Sequence, residues 1–301
     1  MLRRSAVALV LLGAVACSPD SGPALTGSGS SPAAAPPGPL TAGLSQFRDN
    51  YSRQIIEIQL SNTTGAAVTV LAARLQSPLF ASGAGWTAAG AGTELPPGQT
   101  KSLPARLPAA SCPGPAEHSS RAPESGAVVE VRFLGAAGAP AKSFTVPADD
   151  PFGVLARNNA EMCVAQAADA VAGFRFSPGL TLSADARTAV VHLVITPRNA
   201  AGAGAGTLTI HSIGGTTLLA EDRSAPWPRG LRVDAAGPAR ELPLRIRPAR
   251  CDPHAVAEDK VGTLFPLRVT VAGREGVLKI DAGALLRGRI YDFVTSACGR
   301  Q

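Results

Sequence analysis

Two stretches decide the fold: LPPGQTKSLPARLPAASC, residues Leu95–Cys112, and DAAGPARELPLRIRPARC, residues Asp234–Cys251. They align without a gap and share six identical residues, among them the closing cysteine. The two tryptophans of the chain precede them at similar distances, and an alternating apolar segment follows each stretch. These landmarks in the same order predict an internal duplication. The alternative is a chance likeness between two Ala- and Pro-rich stretches.

Alternating apolar and polar residues predict strands within each half. Ile56–Leu60 and Val129–Phe133 have the period of two that places one face of a strand against a core. The chain also contains 32 Gly and 26 Pro, a density that argues against long helices. We therefore predict an all-β fold of two tandem immunoglobulin-like β-sandwich domains arising from an internal duplication. The tryptophan precedes both cysteines in each half, unlike the Cys…Trp…Cys order of immunoglobulin domains, so the strand topology stays open.

Four cysteines follow Cys17, and an even number in an exported protein indicates disulfides with three possible connectivities. The intervals between successive cysteines favour one bridge in each half, Cys112–Cys163 and Cys251–Cys298. We expect each bridge to fasten the final strand of its domain to the middle of that domain.

The N-terminus has the pattern of an export signal. Arg3 and Arg4 precede an apolar run from Ala6 to Ala16, which is the length of a secretory signal peptide and too short to span a bilayer. The run ends Ala14-Val15-Ala16-Cys17. Its Ala-x-Ala pattern is typical of a cleavage site that releases a freely secreted protein.

The same four residues resemble the lipobox of bacterial lipoproteins. That resemblance implies that Cys17 carries the lipid, including palmitate-type acyl chains, and becomes the mature N-terminus. It also implies attachment to the outer face of the bacterial cytoplasmic membrane. The following Ser-, Pro-, Gly- and Ala-rich segment supports this interpretation, because such a composition behaves as a flexible tether.

The predicted organisation has four parts. They are a signal peptide at 1–16, the lipidated Cys17 with a disordered linker at 17–41, a first β-sandwich at 42–165 and a second at 166–301.

The best candidate for metal or acid–base chemistry follows Cys251. His254 and Glu258 are four residues apart and would share one face of a helix. However, Asp252 and Pro253 are residues that commonly begin a helix, so a structural role explains the same stretch. The sequence contains neither a ligand spacing of the HxxxH type nor a nucleophile motif of the GxSxG type. We therefore predict no catalytic site, cofactor or metal, with His254 and Glu258 as weak metal candidates.

The predicted function is a non-catalytic binding or envelope-assembly role with a protein partner, attached to the membrane through the N-terminal lipid. Nucleic acid is not an expected partner, because the net charge is only +6 and the arginines are scattered. One alternative is a small-ligand or metal-binding lipoprotein that uses an inter-domain crevice near Val164 to Leu182. Another is a hydrolase with an unmarked site. A polar pocket containing His254, Glu258 or Asp259 would favour these alternatives.

Overall fold

The computed structural model describes residues 38–112, 126–135, 140–198, 206–259 and 261–299. Of these residues, 46% lie in strands and 17% in helices, so the all-β prediction is confirmed. The predicted signal peptide, Cys17 and the tether up to residue 37 lie outside the described residues. The first strand begins at Leu40, two residues before the predicted start of the first β-sandwich at 42. Within the described ranges, no helix is both long enough and apolar enough to span a membrane.

The described residues of the first half form a sandwich of eight strands. They are β1 (Leu40–Ser45), β2 (Ile55–Asn62), β3 (Val68–Gln76), β4 (Ala84–Thr87), β5 (Thr93–Leu95), β6 (Thr100–Arg106), β7 (Val128–Leu134) and β8 (Lys142–Asp149). A short 3-10 helix, Arg48–Asn50, follows β1. The strand order is β4-β3-β7-β8-β1-β2-β6, with β5 also on β3. Parallel pairing of β1 with β8 joins two antiparallel layers, whose inward residues form one hydrophobic core.

In the second half, the residues that the structure describes form nine strands in two sheets. They are β9 (Ala172–Phe176), β10 (Thr181–Leu182), β11 (Ala189–Pro197), β12 (Thr207–Ile213), β13 (Leu219–Glu221), β14 (Leu231–Asp234), β15 (Arg240–Pro248), β16 (Leu264–Val271) and β17 (Arg274–Asp281). One sheet has the order β10-β11-β15-β13, with β9 on β11, and the other has the order β14-β12-β16-β17. A second hydrophobic core fills the space between them.

The pairing pattern repeats between the halves. The group β1-β2-β6 corresponds to β9-β11-β15, and β5-β3-β7-β8 corresponds to β14-β12-β16-β17. Even the isolated bridge between Phe80 and Ala110 corresponds to the pairing of Leu219 with Pro248. The two stretches aligned in the sequence contain β6 and β15. The duplication predicted from the sequence is therefore present in the strand topology.

Each half nevertheless ends in a helix, so the expectation that long helices are absent is wrong. The helices are α1 (Val154–Val171) and α3 (Gly283–Cys298), with a short α2 (Pro253–Ala257) between them. The 18 residues of α1 contain no Gly or Pro and are rich in Ala, the best helix former. The average composition of the chain conceals this segment.

The structure contains the disulfides Cys112–Cys163 and Cys251–Cys298, with Cα–Cα distances of 5.5 and 5.2 Å. The second cysteine of each pair lies on α1 or α3, not on a final strand. The expectation about the final strand is therefore wrong, and each bridge attaches the C-terminal helix of its half to the loop that follows β6 or β15.

Helix α1 belongs to both cores. Its first turn contributes Val154 and Leu155 to the first core, whereas Val164, Ala168 and Val171 lie in the second. The described residues from 38 onward form one compact unit, and the predicted domain boundary at 165/166 falls inside α1. In the first half β8 pairs with β1, but the equivalent strands β17 and β9 are not paired, and α1 packs against both of them.

Candidate binding crevice between the two halves

A polar crevice separates the loop after β1 from the second half. It contains two adjoining cavities of about 190 and 110 Å³. One wall is the loop at 48–54, and the opposite wall comes from the start of β16, the end of β17 and α3. The crevice therefore exists only because the two halves are packed together.

Charged groups line both walls of the larger cavity. On the second half, Asp281 accepts two hydrogen bonds from Nη2 of Arg287, at 2.7 and 3.0 Å. On the first half, the exposed side chains of Arg48 and Asp49 line the same cavity. Both signs of charge are thus available on both walls, which suits a ligand that carries both.

Asp259 and Tyr291 form the polar end of this cavity. The hydroxyl of Tyr291 donates to Oδ2 of Asp259 at 3.0 Å. The same carboxylate accepts from the backbone N–H of Gly262 at 2.7 Å and from the hydroxyl of Thr217. Burial, followed by the hydrogen bond and the charge of Asp259, raises the pKa of Tyr291 to about 12. Tyr291 therefore acts as a neutral hydrogen-bonding group at physiological pH.

The smaller cavity contains an aromatic ring with two neighbouring cations. Cζ of Arg157 lies 5.4 Å from the ring centroid of Tyr51, and Nζ of Lys279 lies 5.3 Å from it. Lys279 also donates to Glu161 at 2.6 Å. Cations over an aromatic face are attracted by the ring quadrupole. These contacts connect the first half, α1 and β17 at the base of the crevice.

The weak metal candidates do not belong to this crevice. His254 and Glu258 are exposed on and just after α2, where the side chain of Asp252 caps the helix by accepting from the N–H of His254 at 3.0 Å. Throughout the described residues, no group of three His, Cys, Asp or Glu side chains is arranged to hold a metal. The structural explanation of this stretch therefore accounts for Asp252 and Pro253.

The crevice also lies elsewhere than predicted. Of the range Val164 to Leu182, only Ala165 lines it. The lining residues are more than 200 positions apart in the chain, so no local pattern identifies them. One signal was available in the sequence: the connection from β1 to β2 is nine residues long and highly polar, longer than the usual hairpin loop.

No family model matches the chain, and no curated protein matches it. Solved structures with some likeness include the YadV chaperone, at 11% identity and a TM-score of 0.19, over 76% of this chain and 92% of that one. The calcium-binding domain CBD12 of CALX1.1 has 10% identity and a TM-score of 0.19, over 74% and 75%. An exo-chitosanase of Amycolatopsis orientalis has 13% identity and a TM-score of 0.20, over 81% and 26%. Likeness at these TM-scores carries no argument about function.

Proposed function

We propose that this chain is an exported lipoprotein, anchored through Cys17, whose two joined β-sandwiches bind a protein partner in the cell envelope without catalysing a reaction. The lipobox-like Ala14–Cys17 and the Ser-, Pro-, Gly- and Ala-rich composition of the segment after it support the anchor. The two disulfides support the compartment, because disulfides persist in oxidising environments outside the cytoplasm.

The direction of β1 is the observation that carries this proposal. Gly38, where the described chain begins, lies beside Thr63, whose hydroxyl donates to the carbonyl of Gly38 at 2.9 Å. Six strand residues later, Gln46 contacts Asn158 of α1, at the entrance to the second half. At about 3.3 Å per residue, the eight steps from Gly38 to Gln46 span at most roughly 26 Å. The start of the described residues and the junction with α1 therefore lie at opposite ends of β1.

The exposed side chains, not the sheet edges, are the favoured contact points. Pro104 occupies the middle of β6, which is an edge strand, and lacks the N–H that an added strand would need at that edge. By contrast, four large apolar side chains of the described residues are exposed. They are Phe47, Phe152, Leu182 and Leu285. Protein contacts are marked by exposed apolar side chains that form a contiguous patch, so each of the four is a position at which a contact can be tested.

Membrane fractionation of cells tests the anchor. We expect the wild type and Ser18→Ala, the neighbouring control, to sediment with membranes, and Cys17→Ser to be released into the soluble fraction. Membrane retention of Cys17→Ser after a high-salt wash would contradict the proposal.

A photo-crosslinking residue at position 152 tests the partner, with the exposed Glu94 as the matched control. The expected result is one crosslinked envelope protein from position 152 and none from position 94.

The crevice favours a second candidate function, the binding of a small ligand that carries both charges. The supporting observation is the pair of oppositely charged groups on each wall, with Arg48 facing the cavity across from Asp259. A thermal-shift titration with free amino acids as probes tests it. Saturable stabilisation that is lost in Arg48→Ala, but kept in the surface control Arg132→Ala, would support the candidate. No shift in the wild type, or an equal shift in Arg48→Ala, would contradict it.

A further inference from the structure

The last helix presents an apolar side chain and an apolar groove on neighbouring surfaces. Leu285 on α3 is 72% exposed and Leu182 on β10 is 51% exposed. A groove of about 250 Å³ lies between β10 and the second half of α3. Its lining comprises Leu180, Leu182, Ala186, Arg289, Asp292, Phe293 and Ser296. Leu285 lies one turn before this lining, so the same helix carries both a protruding group and a cavity of matching chemistry.

Five exposed residues of α3 form one continuous stripe. Leu285, Gly288, Arg289, Asp292 and Ser296 are all exposed, and their spacing places them on one side of the helix. Gly288 has no positive φ, and a Cβ added there would meet nothing within 4 Å. Nothing within this chain therefore requires glycine at a mid-helix position, where it costs roughly 1 kcal/mol relative to Ala. Because Gly288 has no side chain, it allows the backbone of another molecule to approach the stripe closely.

The charged residues of the stripe are complementary to those of a second copy of the same stripe. Arg289 holds the carbonyl of Pro178 with Nη1 at 2.7 Å, which fixes its guanidinium at the rim of the groove. Asp292, three residues later, has no hydrogen bond or ion pair to any other described residue. If a second α3 packs antiparallel, with the two-fold axis between positions 290 and 291, each Arg289 faces the Asp292 of the other copy. The same axis places each Leu285 opposite Ser296, at the groove of the other copy.

We propose that the stripe on α3 binds a second copy of this chain, with the two α3 helices antiparallel about a two-fold axis. Leu285 of each copy enters the groove between β10 and α3 of the other, and two Arg289–Asp292 ion pairs fix the register. Such an interface is isologous and closes as a dimer. Attachment to one membrane raises the effective concentration of the copies, so a pair that is weak in solution forms on the surface.

Engineered cysteines on the full-length chain test the register in cells. We expect the double variant Leu285→Cys/Ser296→Cys to give a dimer on a non-reducing gel. Neither single variant should crosslink to itself, because the same residue in the two copies is separated by 11 residues, or roughly 16 Å, along the antiparallel helices. Co-expression of the two single variants should restore a dimer. The control Leu285→Cys/Arg287→Cys places the second cysteine on the opposite side of α3 and should crosslink far less. Absence of the dimer, or equal dimers from all variants, would overturn the proposal.

Charge reversal provides a test that does not depend on new cysteines. Arg289→Asp and Asp292→Arg each place like charges opposite one another twice in the dimer. We expect each to weaken dimerisation of the full-length chain in nanodiscs by roughly fivefold, from surface ion-pair strengths. The double reversal should restore the wild-type dimer. A double variant as weak as the single variants, with unchanged thermal stability, would overturn the proposed pairing.

Discussion

Replacement of Gly276 by Ala tests the direct packing of α1 on the second half. Gly276 lies on β17, and a Cβ built there would be 2.7 Å from Cγ2 of Val164 on α1. Carbon atoms in contact prefer about 3.5–4.0 Å, so the helix or the strand must move by about 1 Å. Val164 is buried and β-branched, so its side chain has little freedom to rotate away.

The expected cost of Gly276→Ala follows from these distances. Overpacking of a well-packed contact costs about 1–3 kcal/mol, and the reduced entropy of the unfolded chain returns about 0.4–1 kcal/mol. We therefore expect a net loss of about 0.5–2 kcal/mol, which corresponds to a fall in Tm of roughly 2–6 °C for a chain of this size. Urea denaturation followed by circular dichroism measures the free energy of unfolding directly.

Two further variants complete this experiment. Val164→Ala removes two buried methyl groups and should cost about 2 kcal/mol by itself. In the double variant, the new methyl at position 276 occupies part of the vacated space, so the two losses should fall short of additivity by about 1 kcal/mol. Gly85→Ala is the control, because its Cβ would meet nothing within 4 Å. If Gly276→Ala is as stable as Gly85→Ala, the inferred contact between α1 and β17 is wrong.

Three other perturbations have outcomes that the structure determines. Replacing both Cys251 and Cys298 by Ala removes a bridge between residues 47 positions apart. The free energy of unfolding, measured by urea denaturation, should fall by about 2–4 kcal/mol, and an unchanged value would contradict a stabilising bridge. Burial raises the pKa of Glu57, so the stabilising contribution of its protonated form is present at low pH and is lost as the pH rises through the folded pKa. The free energy of unfolding of Glu57→Gln should therefore rise relative to that of the wild type between pH 4 and pH 8. A difference that stays constant over this range would contradict the expectation. In an ultraviolet titration Tyr291 should ionise near pH 12, and Asp259→Asn should lower that pKa because it removes the negative charge and weakens the hydrogen-bond acceptor; an unchanged curve would refute this assignment.

Local and repeated patterns in the sequence predict the strands well. The alternation of Ile56–Leu60 places Ile56, Ile58 and Leu60 in the core, as a period of two requires. The ungapped alignment up to Cys112 and Cys251 anticipates the repeated pairing of β6 and β15, because both copies retain the same landmark residues. These features depend on neighbouring residues, so a single sequence is sufficient to identify them.

The two long helices and the position of the crevice were not predicted, for two different physical reasons. Helix α1 was missed because a count of Gly and Pro over the whole chain conceals an Ala-rich segment that lacks both. The crevice depends on contacts between distant segments, such as that of Lys279 with Glu161, 118 residues apart. Glu57 is similar, because an outward-facing acid becomes buried only when Asn50 of the preceding loop folds over it.

The mass of the mature N-terminal peptide tests the central claim most directly. Protein isolated from its native cells would be digested, and the N-terminal fragment analysed by mass spectrometry. The account predicts a fragment that begins at Cys17 and carries the mass of a diacylglycerol, with or without an additional acyl chain. An unmodified Cys17 at the N-terminus would show simple secretion, and a fragment that still begins at Met1 would show no export. Either result would contradict a lipid-anchored protein.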